Sequence, residues 1–344
     1  MDCLAAAYKG LMLLNDKRKI GQRCMTRTPR KPKAIGLMVL ALGTLSSVEN
    51  AVAAASSVEP DTPKVCERCD AWNKIHEPFR VFGNTFYVGV AGLSAILITS
   101  NDGLILLDGD LPQSAPLIAE SIRRLGFRME DVRLIVNSHT HHDHVGGIAA
   151  LQRASGAIVA ASPASALALE RGEPTPDDPQ YAFGREQTGF PPVPHVRVVA
   201  DGQTLHVGDL AITAHFTPGH TPGGTTWTWH SCEGNRCLHV VYADSLNPVS
   251  APGFRFTGDK TWPSRVASIR RSIALVEKLP CDVLLSPHPE FFDMEGKFQR
   301  HHQGARVNPF IDAQACKVYA ADARRKLEQR IAEESAASTP EKAP

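Results

Sequence analysis

The segment NSHTHHDHVGG, residues 137–147, places four histidines and one aspartate in six consecutive positions. Its spacing H-x-H-x-D-H presents His139, His141, Asp143 and His144 as candidate metal ligands, with the strand-like VRLIVNS before it and the helix-like IAALQRAS after it. A zinc ion that keeps one position open for water takes three protein ligands. Four donors in one short segment therefore predict two metal ions rather than one.

Two further histidines follow predicted strands elsewhere in the chain. His220 lies in FTPGHTPGG, at the end of the strand-like LAITAHFT, and His288 lies in LLSPHPEFF, after CDVLLS. Loops at the carboxyl ends of strands are free to present side chains to a common ligand. We therefore expect His220 and His288 to complete the two metal sites, and His142, between two candidate ligands, to point elsewhere. The alternative, a chance run of solvated histidines, does not account for the matching positions of the distant pair.

The first 55 residues are typical of an export signal. Basic residues precede an apolar run over residues 34–48, and the small residues AVAAASS follow, with cleavage expected near residues 53–55. A membrane anchor is the alternative, but a spanning helix needs about 20 apolar residues, and this run is shorter. The sequence therefore predicts a secretory signal over residues 1–55, a mature chain over residues 56–344, location in the periplasm and no membrane attachment after cleavage.

Net charge argues against a nucleic-acid partner. Removal of residues 1–55 leaves 28 Lys and Arg against 33 Asp and Glu, a formal charge near −5. Nucleic-acid-binding surfaces need clustered positive charge to neutralise phosphates. A small-molecule partner is expected instead, with the mature chain a monomer.

Cysteine usage agrees with export. Six cysteines remain after the predicted signal, an even number that suits disulfides in an oxidising compartment. Cys232 and Cys237 flank EGNR, a turn-like tetrapeptide between strand-like runs, so we expect them to close a hairpin. Cys281 and Cys316 would then join the start of a strand to the C-terminal helix.

The remaining two cysteines, Cys66 and Cys69, form a CxxC motif. Such a motif can be a disulfide, a redox pair or half of a zinc site. Because the sequence contains no second CxxC, we expect a disulfide or a local structural role.

Strand-like and helix-like segments fill residues 56–344 in two similar halves with no linker between them. Ser114 is expected to cap a helix that ends at Leu125, after a series of short β-branched and aromatic strands. Residues 172–195 are rich in Pro and Gly and have no period, which predicts a long loop beside the functional cleft. The whole pattern predicts a single α/β domain with two sheets and helices on the outside.

These motifs resemble those of the metallo-β-lactamase superfamily over nearly all of residues 70–334. The resemblance rests on HTHHDH at residues 139–144, Asp108 in LLDGD, and the strings FGNTFYVG, PGHTPGGTTWTW, YADSLN and SPHP. Within the superfamily the sequence is most similar to the subclass B3 β-lactamases, particularly the members with extra disulfides. The resemblance implies an αββα sandwich of two mixed sheets, with helices on the outer faces and the metals in a cleft at one edge.

The resemblance also assigns the six candidate ligands to two Zn²⁺ ions. The first ion would take His139, His141 and His220, and the second would take Asp143, His144 and His288. Bound zinc can lower the pKa of water to about 7. A zinc-bound hydroxide is therefore the expected nucleophile, opening the ring of penicillins, cephalosporins and carbapenems and conferring resistance. Asp143 would orient the hydroxide and shuttle its proton, and Asp108 would brace the ligands from behind.

Substrate contacts are expected from YADSLN. Ser245 stands where another subclass has a cysteine ligand, and Asn247 stands where related enzymes carry a hydroxyl, so both are candidates to hold the β-lactam carboxylate. Turn capping is the alternative role for both. A further departure is that similar sequences pair one of Cys66 and Cys69 with a cysteine near the position of Ala91, so a disulfide at the CxxC is local or absent.

Two other functions fit the same motifs. A lactonase or a glyoxalase II-type thioesterase shares the HxHxDH cluster but bridges its metals with an aspartate, a role that Asp244 could take. A non-catalytic zinc-binding protein would enclose its metal in a full set of protein ligands, whereas these six leave positions open. The sequence therefore predicts a di-zinc β-lactam hydrolase, with these two as alternatives.

Overall fold

The computed structural model describes residues 58–337, so the predicted signal over residues 1–55 lies outside the described residues. Strands within this range form two sheets. The first sheet contains β1 (Phe79–Phe82), β2 (Thr85–Tyr87), β3 (Ile96–Ser100), β4 (Gly103–Leu107), β5 (Val132–Val136), β6 (Ile158–Ala161) and β7 (Arg197–Val198), side by side in chain order. The second contains β8 (Thr204–Val207), β9 (Leu210–Phe216), β10 (Thr225–Glu233), β11 (Arg236–Tyr242) and β12 (Val283–Leu285), again in chain order across the sheet.

Helices connect and cover these strands. They are α1 (Cys69–Trp72), α2 (Ala115–Arg124), α3 (His142–Val145), α4 (Ile148–Ser155), α5 (Pro163–Arg171), α6 (Arg185–Thr188), α7 (Val266–Lys278), α8 (Met294–His302) and α9 (Ala315–Ala336). None of the described helices combines the length and apolarity that a membrane crossing requires.

Both sheets are mixed. Strands β1 to β4 pair antiparallel and β4 to β7 pair parallel. In the second sheet β8 to β11 pair antiparallel, and β12 joins β11 in parallel. Tight turns can join antiparallel neighbours, whereas parallel neighbours need a longer crossover, which α2 supplies between β4 and β5.

Strand β4 shows how the layers are held together. Its sequence GLILL is buried throughout, because side chains on a strand alternate between its two faces and both faces are covered. Ile105 and Leu107 pack into the core between the two sheets, together with Trp227 and Trp229 of β10. Leu104 and Leu106 pack into a second core, beneath α2, α4 and α5. Helices α7 and α9 contribute to the first core and cover the second sheet. The predicted αββα sandwich is confirmed.

Two local predictions need correction. Ser114 holds the N-cap position of α2, at the end of the 3₁₀ turn Pro112–Ser114, but its side chain makes no capping hydrogen bond because its hydroxyl donates to Asn73 Oδ1 at 2.6 Å. Residues 172–195 are not structureless, because they contain another 3₁₀ turn, Tyr181–Phe183, and helix α6.

Disulfides join three pairs of cysteines among the described residues: Cys66 with Cys69, Cys232 with Cys237, and Cys281 with Cys316. The second closes the β10–β11 hairpin, and the third ties the segment before β12 to α9. The third closes the longest loop, 35 residues in sequence. Loop-closure entropy therefore gives it the largest stabilisation, on the order of 4 kcal/mol in the chain-entropy account.

Candidate metal centre

The six predicted ligands meet where strands of both sheets end. They are His139, His141, Asp143 and His144 after β5, His220 after β9, and His288 after β12. Two glycines let the first of these segments fold tightly, because a Cβ on Gly146 would lie 2.4 Å from Pro112 Cδ and one on Gly147 would lie 2.3 Å from the Gly109 carbonyl oxygen. The glycine pair Gly146–Gly147 therefore allows α3 to pack directly against the loop that follows β4.

His139, His141 and His220 form a nearly equilateral triangle. The ring centroid of His139 lies 4.8 Å from the ring centroid of His141 and 4.8 Å from that of His220. The centroids of His141 and His220 lie 4.9 Å apart. One ligand atom from each residue lies within 4.8 Å of the others, and all three residues are buried. Three imidazoles in this arrangement can hold one ion and leave a position open.

Each of these three rings is fixed by an oxygen acceptor on its outer nitrogen. His139 Nδ1 bonds to Asp244 Oδ1 at 2.8 Å, and His141 Nε2 bonds to Asp178 Oδ1 at 3.2 Å. His220 Nδ1 donates to the backbone carbonyl of Asn247 at 2.7 Å. With the proton held on the outer nitrogen, the other nitrogen of each ring keeps its lone pair, which is the form a metal requires.

Asp143, His144 and His288 form the second group. Asp143 Oδ2 lies 3.3 Å from His144 Nε2 and 3.6 Å from His288 Nε2. Ligands at about 2.0–2.1 Å from one tetrahedral zinc lie roughly 3.3 Å apart, so these separations fit a shared ion. The ring centroids of His144 and His139 are 4.3 Å apart, which makes the two groups immediate neighbours.

Burial keeps several of these imidazoles neutral. It holds the pKa of His139 well below its usual value, and it lowers the pKa of His220 to about 4 and that of His288 to about 3. For His144, burial acts in the same direction, but the Asp143 carboxylate outweighs it and raises the pKa. Burial would raise the pKa of Asp143, yet the surrounding histidines hold it well below its usual range. His139, His220 and His288 thus offer neutral nitrogens, and Asp143 offers an ionised carboxylate.

One buried atom supports metal occupancy directly. His139 Nε2 is inaccessible to solvent and has no hydrogen-bond partner among the described residues. A buried polar atom left unpaired costs about 1–3 kcal/mol. Because Nε2 faces the triangle while Nδ1 is held by Asp244, a cation between the three rings would satisfy it. The donor set therefore fits a metal ion in each group.

Asp108 braces the segment that carries the ligands. Its carboxylate accepts hydrogen bonds from the Ser138 backbone N–H and hydroxyl, both at 2.7 Å, and from the Tyr242 hydroxyl at 2.7 Å. Ser138 directly precedes His139, so these bonds fix the start of the ligand run. Burial raises the pKa of Asp108 to about 6, although the same hydrogen bonds and His144 act against that rise.

Ser245 and Asn247 follow β11 and lie beside the first group. Ser245 is 1% exposed, and its hydroxyl oxygen has no hydrogen-bond partner within the described range. The backbone carbonyl of Asn247 holds His220, whereas its side chain is partly exposed. The structure therefore gives Asn247 a positioning contact that the sequence did not indicate.

The sequence also missed Asp178, which comes from the Pro-rich loop over residues 172–195. Asp178 is 3% exposed, and its Oδ1 accepts both from His141 Nε2 and from the Gln180 backbone N–H, the latter at 2.8 Å. The only signal in the sequence is the acidic pair in TPDDPQ within a long loop. The loop over residues 172–195 thus contacts the candidate metal centre through the Asp178 carboxylate, which is hydrogen-bonded to the candidate ligand His141.

Replacement of Asp178 by alanine is expected to weaken metal binding about 10- to 100-fold, the range typical for loss of a carboxylate that orients a ligating histidine. Titration of the metal against a competing chelator measures this affinity. Asp177→Ala is the matched control, because Asp177 bonds to Thr175 and Arg265 rather than to a ligand. An equal loss in both variants, or no loss in either, would contradict the role assigned to Asp178.

Comparison with known proteins agrees with this geometry. The family model for the Metallo-beta-lactamase superfamily matches residues 88–233. The Rm3 metallo-beta-lactamase is 52% identical, with a TM-score of 0.76, and the match covers 79% of this chain and 99% of that one. MEM-A1, a subclass B3 metallo-beta-lactamase isolated from a soil metagenome library, is 49% identical with a TM-score of 0.74, covering 78% of this chain and all of its own.

A more distant similarity is to hydroxyacylglutathione hydrolases. A hydroxyacylglutathione hydrolase of Rhodobacter capsulatus is 30% identical over 129 residues, 38% of this chain and 39% of that protein. The chain spans less than two thirds of the curated relatives it matches. Identity near 50% over the whole length of the two lactamases, on the same fold, is the decisive similarity. The chain belongs to the metallo-β-lactamase superfamily and, within it, to subclass B3.

Proposed function

We propose that this protein is a periplasmic di-zinc hydrolase that opens the β-lactam ring of penicillins, cephalosporins and carbapenems and thereby confers resistance. The observation that carries the proposal is the pair of adjacent ligand groups, three histidines beside an Asp–His–His set. Subclass B3 relatives at 49–52% identity support the substrate class. Export directed by residues 1–55, followed by their removal, is part of the proposal and accords with the disulfides.

The two groups hold different charges, which suits them to different parts of the reaction. Zinc bound at such sites acts as a Lewis acid and supplies hydroxide near neutral pH. Because imidazole ligands carry no negative charge, the triangle of three histidines would leave the charge of its cation uncompensated, so the lactam carbonyl would be polarised there. Asp143 brings a negative charge to the second group and is ionised, so its carboxylate can accept a proton from the attacking water and return it to the amide nitrogen as the C–N bond breaks.

Donors beside the ligands are proposed to position the substrate carboxylate. Ser245 has a hydroxyl without a hydrogen-bond partner in the described part of the chain, and Asn247, whose backbone carbonyl holds His220, is partly exposed. A buried hydroxyl without a partner carries a cost that a hydrogen-bonded ligand removes. These two residues therefore remain our candidates for substrate contact.

Thioester hydrolysis is the second candidate, favoured by the similarity to the hydroxyacylglutathione hydrolase. The aspartate proposed to bridge the metals in that case is Asp244. Its Oδ1 bonds to His139 Nδ1, on the opposite side of the ring from Nε2 and the triangle. Asp244 is thus placed as an outer partner of a ligand, which supports the lactamase.

Hydrolysis assays on purified mature protein distinguish the candidates. A penicillin, a cephalosporin, a carbapenem, a lactone and a thioester are compared, each before and after chelation and again after zinc is restored. We expect the lactams to be hydrolysed fastest, with activity lost to the chelator and recovered with zinc. Faster turnover of the thioester or lactone, or hydrolysis insensitive to chelation, would contradict the proposal. Tight zinc binding with no turnover of any substrate would indicate a non-catalytic zinc protein.

A further inference from the structure

A third cluster of metal-ligating atoms lies beside the metal centre. Cys66 and Cys69 are joined in a disulfide, and both sulfur atoms lie within 4.8 Å of a ring nitrogen of His142. His142 sits in the chain between His141 and Asp143 but belongs to neither ligand group described above. The proposed hydrolysis gives this cluster no role.

The histidine of this cluster has a buried nitrogen that no described residue satisfies. His142 Nε2 is inaccessible to solvent and has no hydrogen-bond partner among residues 58–337. An unpaired buried nitrogen is costly, and two sulfur atoms in a disulfide are poor hydrogen-bond acceptors. Once reduced and bound to a metal, the same sulfurs would be thiolates, which together with a neutral imidazole form a Cys₂His donor set typical of zinc.

The backbone already has the form that such a site needs. Cys66 and Cys69 have Cα atoms 5.0 Å apart, and the Cys69 N–H donates to the Cys66 carbonyl at 3.2 Å, so the CxxC forms a turn that leads into α1. Both side chains therefore project from one turn and can reach one ion by rotation about Cα–Cβ. Cys69 is 1% exposed, which shields a bound ion from solvent on that side.

We propose that Cys66, Cys69 and His142 bind a zinc-like divalent ion when the disulfide is reduced. This ion is separate from the metal ions proposed for the two ligand groups described above, which together form the main centre. A dithiol reductant breaks the Cys66–Cys69 bond by thiol–disulfide exchange. Its two sulfurs become an intramolecular disulfide, and its two electrons and two protons yield two protein thiols. Metal binding then releases both thiol protons, and the three protein ligands leave a coordination position open.

The cluster is connected to one wall of the proposed substrate cleft. Helix α1 carries Trp72, whose ring centroid lies 5.7 Å from that of His288, and the Arg68 guanidinium lies 4.9 Å from the Trp72 ring. Arg68 also pairs with Glu290 at 3.5 Å. Replacement of the disulfide by a bound metal ion would thus occur at the start of α1, the helix whose Trp72 contacts the candidate ligand His288.

Cadmium is a suitable probe, because cadmium–thiolate bonds give an ultraviolet charge-transfer absorption that histidine and carboxylate ligands do not. The parent protein for the test carries Cys232→Ser and Cys237→Ser, because that exposed disulfide could also be reduced. The main centre is first saturated with zinc, and the protein is then treated with a dithiol and titrated with cadmium. We expect two thiols to be released, one further equivalent of metal to bind and the thiolate absorption to appear.

Two variants of this parent test the ligands. Cys66→Ser with Cys69→Ser should abolish the absorption, and His142→Ala should weaken cadmium binding at least about tenfold. A parent that releases two thiols without the absorption, or releases none while folded, would overturn the proposal. Equal absorption in the double serine variant, or unchanged affinity in His142→Ala, would also overturn it. None of these readouts depends on lactam hydrolysis, so they stand apart from the test of function.

Discussion

Replacing His288 by alanine is expected to remove one of the two metal ions and to lower kcat/KM for β-lactam hydrolysis at least about 100-fold. Loss of a mere outer partner of a ligand already costs 10- to 100-fold, and His288 is one of only three protein donors in its group. Its Nε2 lies 3.6 Å from Asp143 Oδ2, so without it the second group retains only two neighbouring side chains, Asp143 and His144.

Metal analysis and steady-state kinetics on the same preparation measure both effects. His206→Ala is a matched control, because His206 is an exposed histidine on β8 that belongs to neither ligand group. It should retain both ions and full activity. If His288→Ala kept two tightly bound ions, or kept wild-type hydrolysis after losing one, the assignment of His288 would be wrong.

Replacing Trp227 by alanine is expected to lower the free energy of unfolding by about 3–5 kcal/mol, the usual cost of deleting a large aromatic side chain from a core. Trp227 is fully buried between the two sheets. Its Nε1 also donates to the Asn137 carbonyl at 2.8 Å, two residues before His139. The indole therefore supports the core and the ligand segment together.

Denaturant unfolding with the disulfides intact measures the loss. Trp227→Phe is the matched control, because it keeps an aromatic ring but removes the donor to Asn137. Trp227→Phe should lower the free energy of unfolding by about 1–3 kcal/mol for the unpaired buried carbonyl, with a small addition for a modest cavity. A loss below about 1 kcal/mol for Trp227→Ala would contradict the packing described for this core.

The convergence of the six candidate ligands could be predicted, because its signal in the sequence is local. The spacing H-x-H-x-D-H, and single histidines directly after strand-like runs, indicate side chains at strand ends whatever the details of packing. Parallel strands such as β4 and β5 bring those ends to one edge of the sheet. The structure accordingly brings His139, His220 and His288 to one place, although they are far apart in sequence.

The outer partners of the ligands could not be predicted, because they depend on how distant loops pack. Asp178 is 37 residues from His141, in a segment without periodicity, and nothing in its immediate sequence separates it from Asp177. Asp244 lies 105 residues from His139. Its position after a strand fitted either a bridging carboxylate or an outer partner, and only the orientation of the His139 ring distinguishes the two.

Local hydrogen bonds were similarly ambiguous. Ser114 has the residue type and the position of a helix cap, yet its side chain does not cap the helix, because its hydroxyl donates to the side-chain oxygen of Asn73, 41 residues away. The CxxC at Cys66 and Cys69 fitted a disulfide or a metal site on spacing alone. The structure pairs the two cysteines and places His142 beside them, a contact that required the tertiary fold.

Anomalous X-ray scattering at the zinc absorption edge, from crystals of the zinc-loaded mature protein, tests the central claim most directly. Two peaks are predicted, one within the triangle of His139, His141 and His220 and one between Asp143, His144 and His288. A single peak, a peak coordinated by Asp244, or His220 or His288 turned away from both ions would contradict the account.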